Sequence, residues 1–373
     1  MRISVPREVK NNENRVAITP VGVQELTHRG HEVVVQAGAG VGSSFTDDSY
    51  RDAGASVVAD VDRVWGDAEL VLKVKEPVAA EYRHLREGLS VFTYLHLAAD
   101  EPLVDALLRS GATSIAYETV QKPTGLLPLL YPMSEVAGCL APQMGAYHLM
   151  KTQGGRGVLM GGVAGVPNAK VLVLGGGTAG QNAVNTALGM NADVTMLDTD
   201  IDKLRQAYWR WDNRVHGLRS SDMAIREHLP QADLVIGTVL IPGGRTPRLV
   251  TNEMVATMKP GSVLVDVSID QGGCFEDSRP TTHDDPTYQV HGSTFYCVAN
   301  MPAMVPNTST WALTNATLPY VERIAEHGWR EAMRLDAALA KGLATHAGRL
   351  TSQPVAEAFK RDWAPVEDVL AEA

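Results

Sequence analysis

Between positions 171 and 200 the chain reads VLVLGGGTAGQNAVNTALGMNADVTMLDTD. An apolar run, a glycine turn, a helix-length segment and a second apolar run closing on an acid predict a strand–turn–helix–strand unit. Gly175, Gly177 and Gly180 fit the pattern G-x-G-x-x-G. The first glycine permits the tight turn, the second lets a pyrophosphate approach the backbone, and the third lets helix and strand pack closely. The N-terminus of the following helix would hold the diphosphate. Asp198 closes the next strand, where a carboxylate accepts from the ribose hydroxyls and repels a 2′-phosphate. The motif therefore points to NAD over NADP. The same fingerprint serves FAD, but in FAD proteins of this size it usually lies near the N-terminus.

At 373 residues the chain is too long for one core, since single cores seldom grow far beyond about 250 residues. A hydrophobic content of 45% with 34 glycines and 20 prolines suits a globular α/β protein rich in turns. The net charge of −10 and the absence of a basic block argue against nucleic acid as the main partner. No run of 18 apolar residues is present, and the N-terminus MRISVPREVK has no apolar leader. Three cysteines, Cys139, Cys274 and Cys297, are too few and too odd in number for a disulfide framework. A cytoplasmic protein without a membrane partner is expected.

Short apolar runs at 2–7, 30–38, 69–77, 89–96 and 113–120 alternate with helical stretches. Thr19 and Pro20 mark one helix start; Asp100 and Gly111 bracket another helix. Beyond the glycine motif, further strands are expected within 232–240, 261–270 and 294–306. Ser134 is read as the N-cap of a long helix reaching Met150, which Pro142 should kink or interrupt. A second long helix is expected from Thr308 to Gly328, followed by short helices in the tail. The fold class is α/β: two Rossmann-like domains with mostly parallel sheets, joined by long helices across a cleft. Residues 1–128 with 305–373 would form a substrate-binding, catalytic domain. Residues 129–304 would form the NAD-binding domain with its bridging helix.

In open α/β sheets ligands sit beyond the carboxyl ends of the strands. Arg15, in the polar loop KNNENR, offers a fork for a carboxylate. A surface arginine is the plainer alternative. Lys75 in KVKEP offers a donor to a carboxylate or carbonyl, but Lys73 shares its face if the strand runs that far. His96 closes VFTYLH, and histidine suits proton transfer near neutrality. Asp270 closes VLVDVSID just before Gln271 and a glycine pair, which suggests backbone near a ligand. For these two the plainer readings are a structural histidine and a turn-capping aspartate. No H-E-x-x-H or C-x-x-C pattern suggests zinc.

Several stretches together carry a family resemblance: PREVKNNENRVAITP, LVLKVKEP, TYLHLA, YETVQ, PLLYPMSEVAG, LGGGTAG, DLVIGTVLIPGGR, VLVDVSIDQGGCFEDSRPTTHDDPTY, YCVANMPAMVPNTSTWALTNATLPY and HGWR. Over nearly its whole length the chain resembles the alanine dehydrogenase family, which also includes the alpha subunit of proton-translocating transhydrogenase. The resemblance implies reversible, NAD-dependent oxidative deamination of L-alanine to pyruvate and ammonia, by hydride transfer from Cα and then hydrolysis of iminopyruvate. It implies that Arg15 and Lys75 bind substrate, that His96 exchanges the proton, and that Asp270 is the second catalytic residue. Cofactor contacts would fall on Ser134, Gly175, Gly177, Thr178, Ala179, Gly180, Asp198, Lys203 and Ser220. They would continue on Val239, Leu240, Val267, Ser268, Ile269, Asp270, Arg279, Val298, Ala299, Asn300 and Met301. The family usually closes its turn as G-A-G-T-A-G, whereas this chain carries Gly176 at the second position.

No metal is expected, because the chemistry needs none, although some relatives place magnesium by the acid and histidine matching Glu118 and His327. The resemblance also implies a homohexamer. Other readings are a transhydrogenase alpha-like subunit, an opine- or saccharopine-type dehydrogenase, and a non-catalytic NAD-binding module. The presence together of Arg15, Lys75, His96 and Asp270 weighs against the first and the last.

Overall fold

A computed structural model describes residues 1–239 and 246–372. Its strands in chain order are β1 (Arg2–Val5), β2 (Glu32–Gln36), β3 (Ser56–Val58), β4 (Leu70–Leu72) and β5 (Ser90–Thr93). Next come β6 (Thr113–Ala116), β7 (Lys170–Leu174), β8 (Asp193–Asp198), β9 (His216–Arg219) and β10 (Leu234–Gly237). The last are β11 (Val263–Asp266), β12 (Thr287–Val290), β13 (Ser293–Tyr296), β14 (Leu343–His346) and β15 (Arg349–Leu350).

These strands build two compact units, one from Met1–Met133 with the chain from Ala303 onward, the other from Ser134–Pro302. In the first unit the sheet order is β15-β14-β6-β5-β4-β1-β2-β3, parallel from β6 to β3. In the second it is β12-β13-β11-β10-β7-β8-β9, parallel except for β12. Each sheet thus contains the doubly wound order 3-2-1-4-5-6, the strand order reversing between β1 and β4 in one and between β7 and β10 in the other. The α/β class with two Rossmann-like, mostly parallel sheets read from the sequence is the one observed.

Central strands such as β10 and β11 are buried along their whole length, as expected for parallel strands covered on both faces. In the first unit Trp65, Leu89, Val91, Leu103 and Leu107 join Leu350 and Val355 from the C-terminal segment in one core. In the second, Val235, Leu264, Phe275 and Phe295 lie at the centre of another. Each fully buried aliphatic side chain of this kind contributes about 1.5–3 kcal/mol.

Local signals behave as the sequence suggests. Thr19 accepts from the Gly22 N–H ahead of helix Pro20–His28. Asp100 accepts from Leu103 ahead of helix Glu101–Ser110, which Gly111 ends at φ 69°.

Three expectations need correction. The long helix runs Tyr131–Leu149, so Ser134 lies in its first turn and is not the N-cap. That helix continues through Pro142, because a proline removes one N–H without abolishing the neighbouring bonds. Gly138 and Gly145 hold it close to the second sheet's layer: a β-carbon on Gly138 would fall 2.2 Å from the Ala179 carbonyl oxygen, and one on Gly145 2.4 Å from Leu234. The helix expected from Thr308 to Gly328 is found, starting two residues earlier at Pro306 and ending where Gly328, at φ 76°, breaks the helical path before a further helical stretch to Leu335. Finally, the tail carries a hairpin besides its helices. β14 pairs antiparallel with both β6 and β15, through a turn in which Ala347 and Gly348 have positive φ.

Candidate active site

In the first unit the polar residues gather beyond the carboxyl ends of β1, β4 and β5, beside the point where the strand order reverses. β4 stops at Leu72, so Lys73 and Lys75 are not alternating strand positions, and their fates diverge. Lys73 is fully buried, its ammonium 3.1 Å from Glu8 and 2.9 Å from Glu81. Desolvation opposes its charge, but the two carboxylates outweigh that and push its pKa upward. Lys73 is therefore a structural cation, while Lys75 is half-buried and its carbonyl accepts from the Thr93 hydroxyl.

Arg15 is 2% exposed. Its Nε and Nη2 donate to the two carboxylate oxygens of Glu13 at 2.7 and 2.6 Å, and its Nη1 lies 3.0 Å from Met133 Sδ. A buried arginine needs such a partner. Glu13 sets the plane of the guanidinium, a role that its place in NNENR did not announce.

His96 follows β5 in the left-handed region, at φ 49° and ψ 35°. A non-glycine residue pays a conformational penalty there. Glu118 offsets it: its carboxylate accepts from the backbone N–H of His96 at 2.7 Å and of Leu95 at 3.2 Å. The imidazole is one-third exposed. Its Nδ1 faces Glu76 Oε2 at 3.4 Å, and the other oxygen of Glu76 pairs with Lys10. Burial would raise the Glu76 pKa, but His96, Lys75 and Lys10 overcome that and hold the carboxyl well below the ordinary range. Tyr94 stands beside the histidine, ring centroids 5.9 Å apart, and donates to the Leu129 carbonyl at 2.5 Å.

In the second unit the glycine turn lies between β7 and helix Thr178–Gly189, again at the strand-order reversal. Gly175 has φ 103°, a conformation that side chains rarely adopt. A β-carbon on Gly180 would fall 1.8 Å from the Gly175 carbonyl oxygen, so that position demands glycine for close packing. A β-carbon on Gly177 would meet nothing within 4 Å, and no side chain caps the helix it precedes. Open space over uncapped N–H groups fits a diphosphate. Thr178 and Ala179 form the first turn of that helix. The Thr238 hydroxyl, not foreseen from sequence, donates to the Leu174 and Gly175 carbonyls and ties β10 to the turn.

Asp198 closes β8, nearly buried. It accepts from the N–H of Gly176 at 2.6 Å and of Asp200 at 2.8 Å, with Lys203 Nζ 3.5 Å away. A β-carbon at position 176 would come within 3.2 Å of that carboxylate, so Gly176 gives Asp198 room. The Ser220 N–H donates to the Asp198 carbonyl.

Val239 follows β10, Val267 and Ser268 follow β11, and Ile269 and Asp270 lie on the helical turn after them. Asp270 is exposed there, ahead of Gly272 and Gly273 with positive φ. Its neighbour Asp266 is buried and anchors the loop by accepting from Ser268, Cys274 and Ser278. Arg279 lies over the Tyr288 ring at 4.1 Å. Val298, Ala299, Asn300 and Met301 form the exit from β13, with Asn300 at positive φ. Leu240 lies outside the described residues. Glu118 serves the His96 backbone, and His327 is half-exposed with Nε2 3.9 Å from Glu326. Among the described residues no group of three or more His, Cys, Asp or Glu is arranged to hold a metal ion.

Residues 4–137 match the family described as alanine dehydrogenase/PNT, N-terminal domain, and residues 141–353 its C-terminal domain. The chain is 64% identical over 356 residues to an alanine dehydrogenase of Mycobacterium tuberculosis (strain CDC 1551 / Oshkosh), covering 95% of this chain and 96% of that protein. Among solved structures it is similar to an L-alanine dehydrogenase at 47% identity and TM-score 0.93, covering 96% and 99% of the two chains. It is also similar to a transhydrogenase from Sinorhizobium meliloti at 28% identity and TM-score 0.79, covering 95% and 99%.

Proposed function

The chain belongs to the alanine dehydrogenase/PNT family, and from that premise we infer that it catalyses the reversible oxidative deamination of L-alanine to pyruvate and ammonia. One observation supports the assignment of roles most: each unit puts its polar or glycine-rich loops at the strand-order reversal of its own sheet. The first unit is the substrate-binding part. Arg15 and Lys75 hold the carboxylate and carbonyl of pyruvate, or the carboxylate of alanine. His96 takes and returns the proton as water adds to iminopyruvate and the carbinolamine collapses. The second unit is the nucleotide-binding part. NAD bound there supplies the nicotinamide that accepts the hydride from the alanine Cα.

The residues present suit that cofactor. Gly177 opens onto uncapped N–H groups, and Asp198 has acceptor capacity beyond its two backbone bonds. Lys203, beside Asp198, and Ser220 flank the adenosine end. Val239, Val267 to Asp270, Arg279 and Val298 to Met301 complete the contacts, with Ser134 reaching a phosphate oxygen. Asp270 orients the amine or water and offsets positive charge as it develops.

A cytoplasmic location is consistent with three free cysteines, and no helix among the described residues is long and apolar enough to cross a membrane. Homohexameric assembly is carried over from the family.

The deciding assay is NADH formation followed by absorbance with L-alanine, with other amino acids and with buffer alone, each with NAD and with NADP. L-alanine with NAD is expected to be the productive pair. Turnover without an amino acid, or equal kcat/KM with NADP, would overturn the respective part of the reading.

A further inference from the structure

We propose that Glu76 is a positioning residue for His96: its Oε2 faces Nδ1, sets the orientation and tautomer of the ring, and leaves Nε2 as the nitrogen that exchanges the proton. The inference rests on the reading of His96 as the proton-transfer residue.

The geometry carries it. Glu76 Oε2 and His96 Nδ1 are both buried polar atoms without a hydrogen-bond partner, and they stand 3.4 Å apart. Two orphaned atoms of opposite character at that separation need only a small turn of the ring to satisfy each other, and buried polar groups left unpaired are costly. Such catalytic hydrogen bonds are commonly long in unliganded proteins and tighten when substrate binds. With Nδ1–H committed to the carboxylate, the neutral ring carries its lone pair on Nε2. The imidazole is one-third exposed while Nδ1 is buried, so the exposed edge of the ring lies away from Nδ1, on the side of Nε2.

Glu76 is itself restrained. It is 9% exposed, its Oε1 is held by Lys10 from the loop after β1, and Pro77 follows it in the chain. Lys75 and Lys10 surround it with positive charge, and Tyr82 lies nearby. The carboxylate is therefore fixed in place and kept ionised before substrate arrives. Glu118 fixes the backbone of the same histidine by accepting from its N–H. One acid thus sets where His96 starts and another sets where its ring points.

A double-mutant cycle on the full-length protein tests this. Steady-state kcat and KM for L-alanine with NAD are measured for wild type, Glu76→Gln, His96→Ala and the double variant, with NADH affinity read by fluorescence. Glu76→Gln is expected to lower kcat about tenfold or more while KM and NADH affinity stay within about threefold. In the His96→Ala background the same change is expected to cost less than about twofold, because there is no ring left to orient. An equal cost with and without His96, or a loss confined to KM or NADH affinity, would overturn the proposal.

Glu76→Asp keeps the charge one methylene further from the ring and repeats the cycle should the glutamine variant fold poorly. It must show the same non-additivity. A wild type that forms no NADH with alanine would instead remove the functional reading beneath the proposal.

Discussion

His96 combines a costly backbone conformation with a partly exposed ring, and the surroundings are built around keeping it so. His96→Ala is expected to lower turnover by roughly 10²- to 10⁴-fold while NADH binds as before. A loss under about tenfold at the optimal pH would exclude the histidine from proton transfer. Glu76 gives a second residue-scale prediction, on stability. Its carboxyl is held below the ordinary value of 4.5, so the ionised form favours the folded state. That contribution is complete above the ordinary value and is lost as pH falls below it. Urea midpoints between pH 6 and pH 3 should therefore fall more steeply for the wild type than for Glu76→Gln. Parallel profiles would show that the carboxylate adds no pH-dependent stability.

Among elements, the glycine turn separates two kinds of glycine. At Gly180 any β-carbon collides with the Gly175 carbonyl, so Gly180→Ala is expected to destabilise the folded protein itself. At Gly177 the space is open, so Gly177→Ala should keep the melting temperature within a few degrees yet weaken NAD binding through the lost approach to the diphosphate. Thermal melts and cofactor titrations on both variants check this; the reverse pattern would contradict the proposed nucleotide site. These elements were legible because their signals are local: Thr19 before Pro20, Asp100 and Gly111 around one helix, three spaced glycines before another. The start of helix Tyr131–Leu149 was not, because Ser134 looks like a cap and nothing at Tyr131 does. Lys73 could not be told from Lys75 until the end of β4 was known. Glu13, Glu76 and Glu118 stayed hidden because their partners are set by loop paths and by a strand neighbour far along the chain. The hairpin of β14 and β15 escaped for the same reason: its pairing partner β6 is distant in sequence.

At the scale of the whole molecule the family implies assembly, and the expected outcome of light scattering at micromolar concentration is a mass of about 240 kDa, six times the 40.1 kDa chain. A monodisperse particle of one chain's mass would refute it. The arrangement of the units along the chain also has a bearing on time. The second unit is continuous from Ser134 to Pro302, whereas the first is assembled from both ends of the polypeptide. Ile115 on β6 meets Leu343 on β14 only when nearly the entire chain exists. As the polypeptide leaves the ribosome, the six N-terminal strands of the first sheet therefore wait with their β6 edge unpaired while the second unit completes itself within one continuous segment. That open edge offers its unpaired N–H and C=O groups to another nascent copy until the C-terminal strands arrive to cover it.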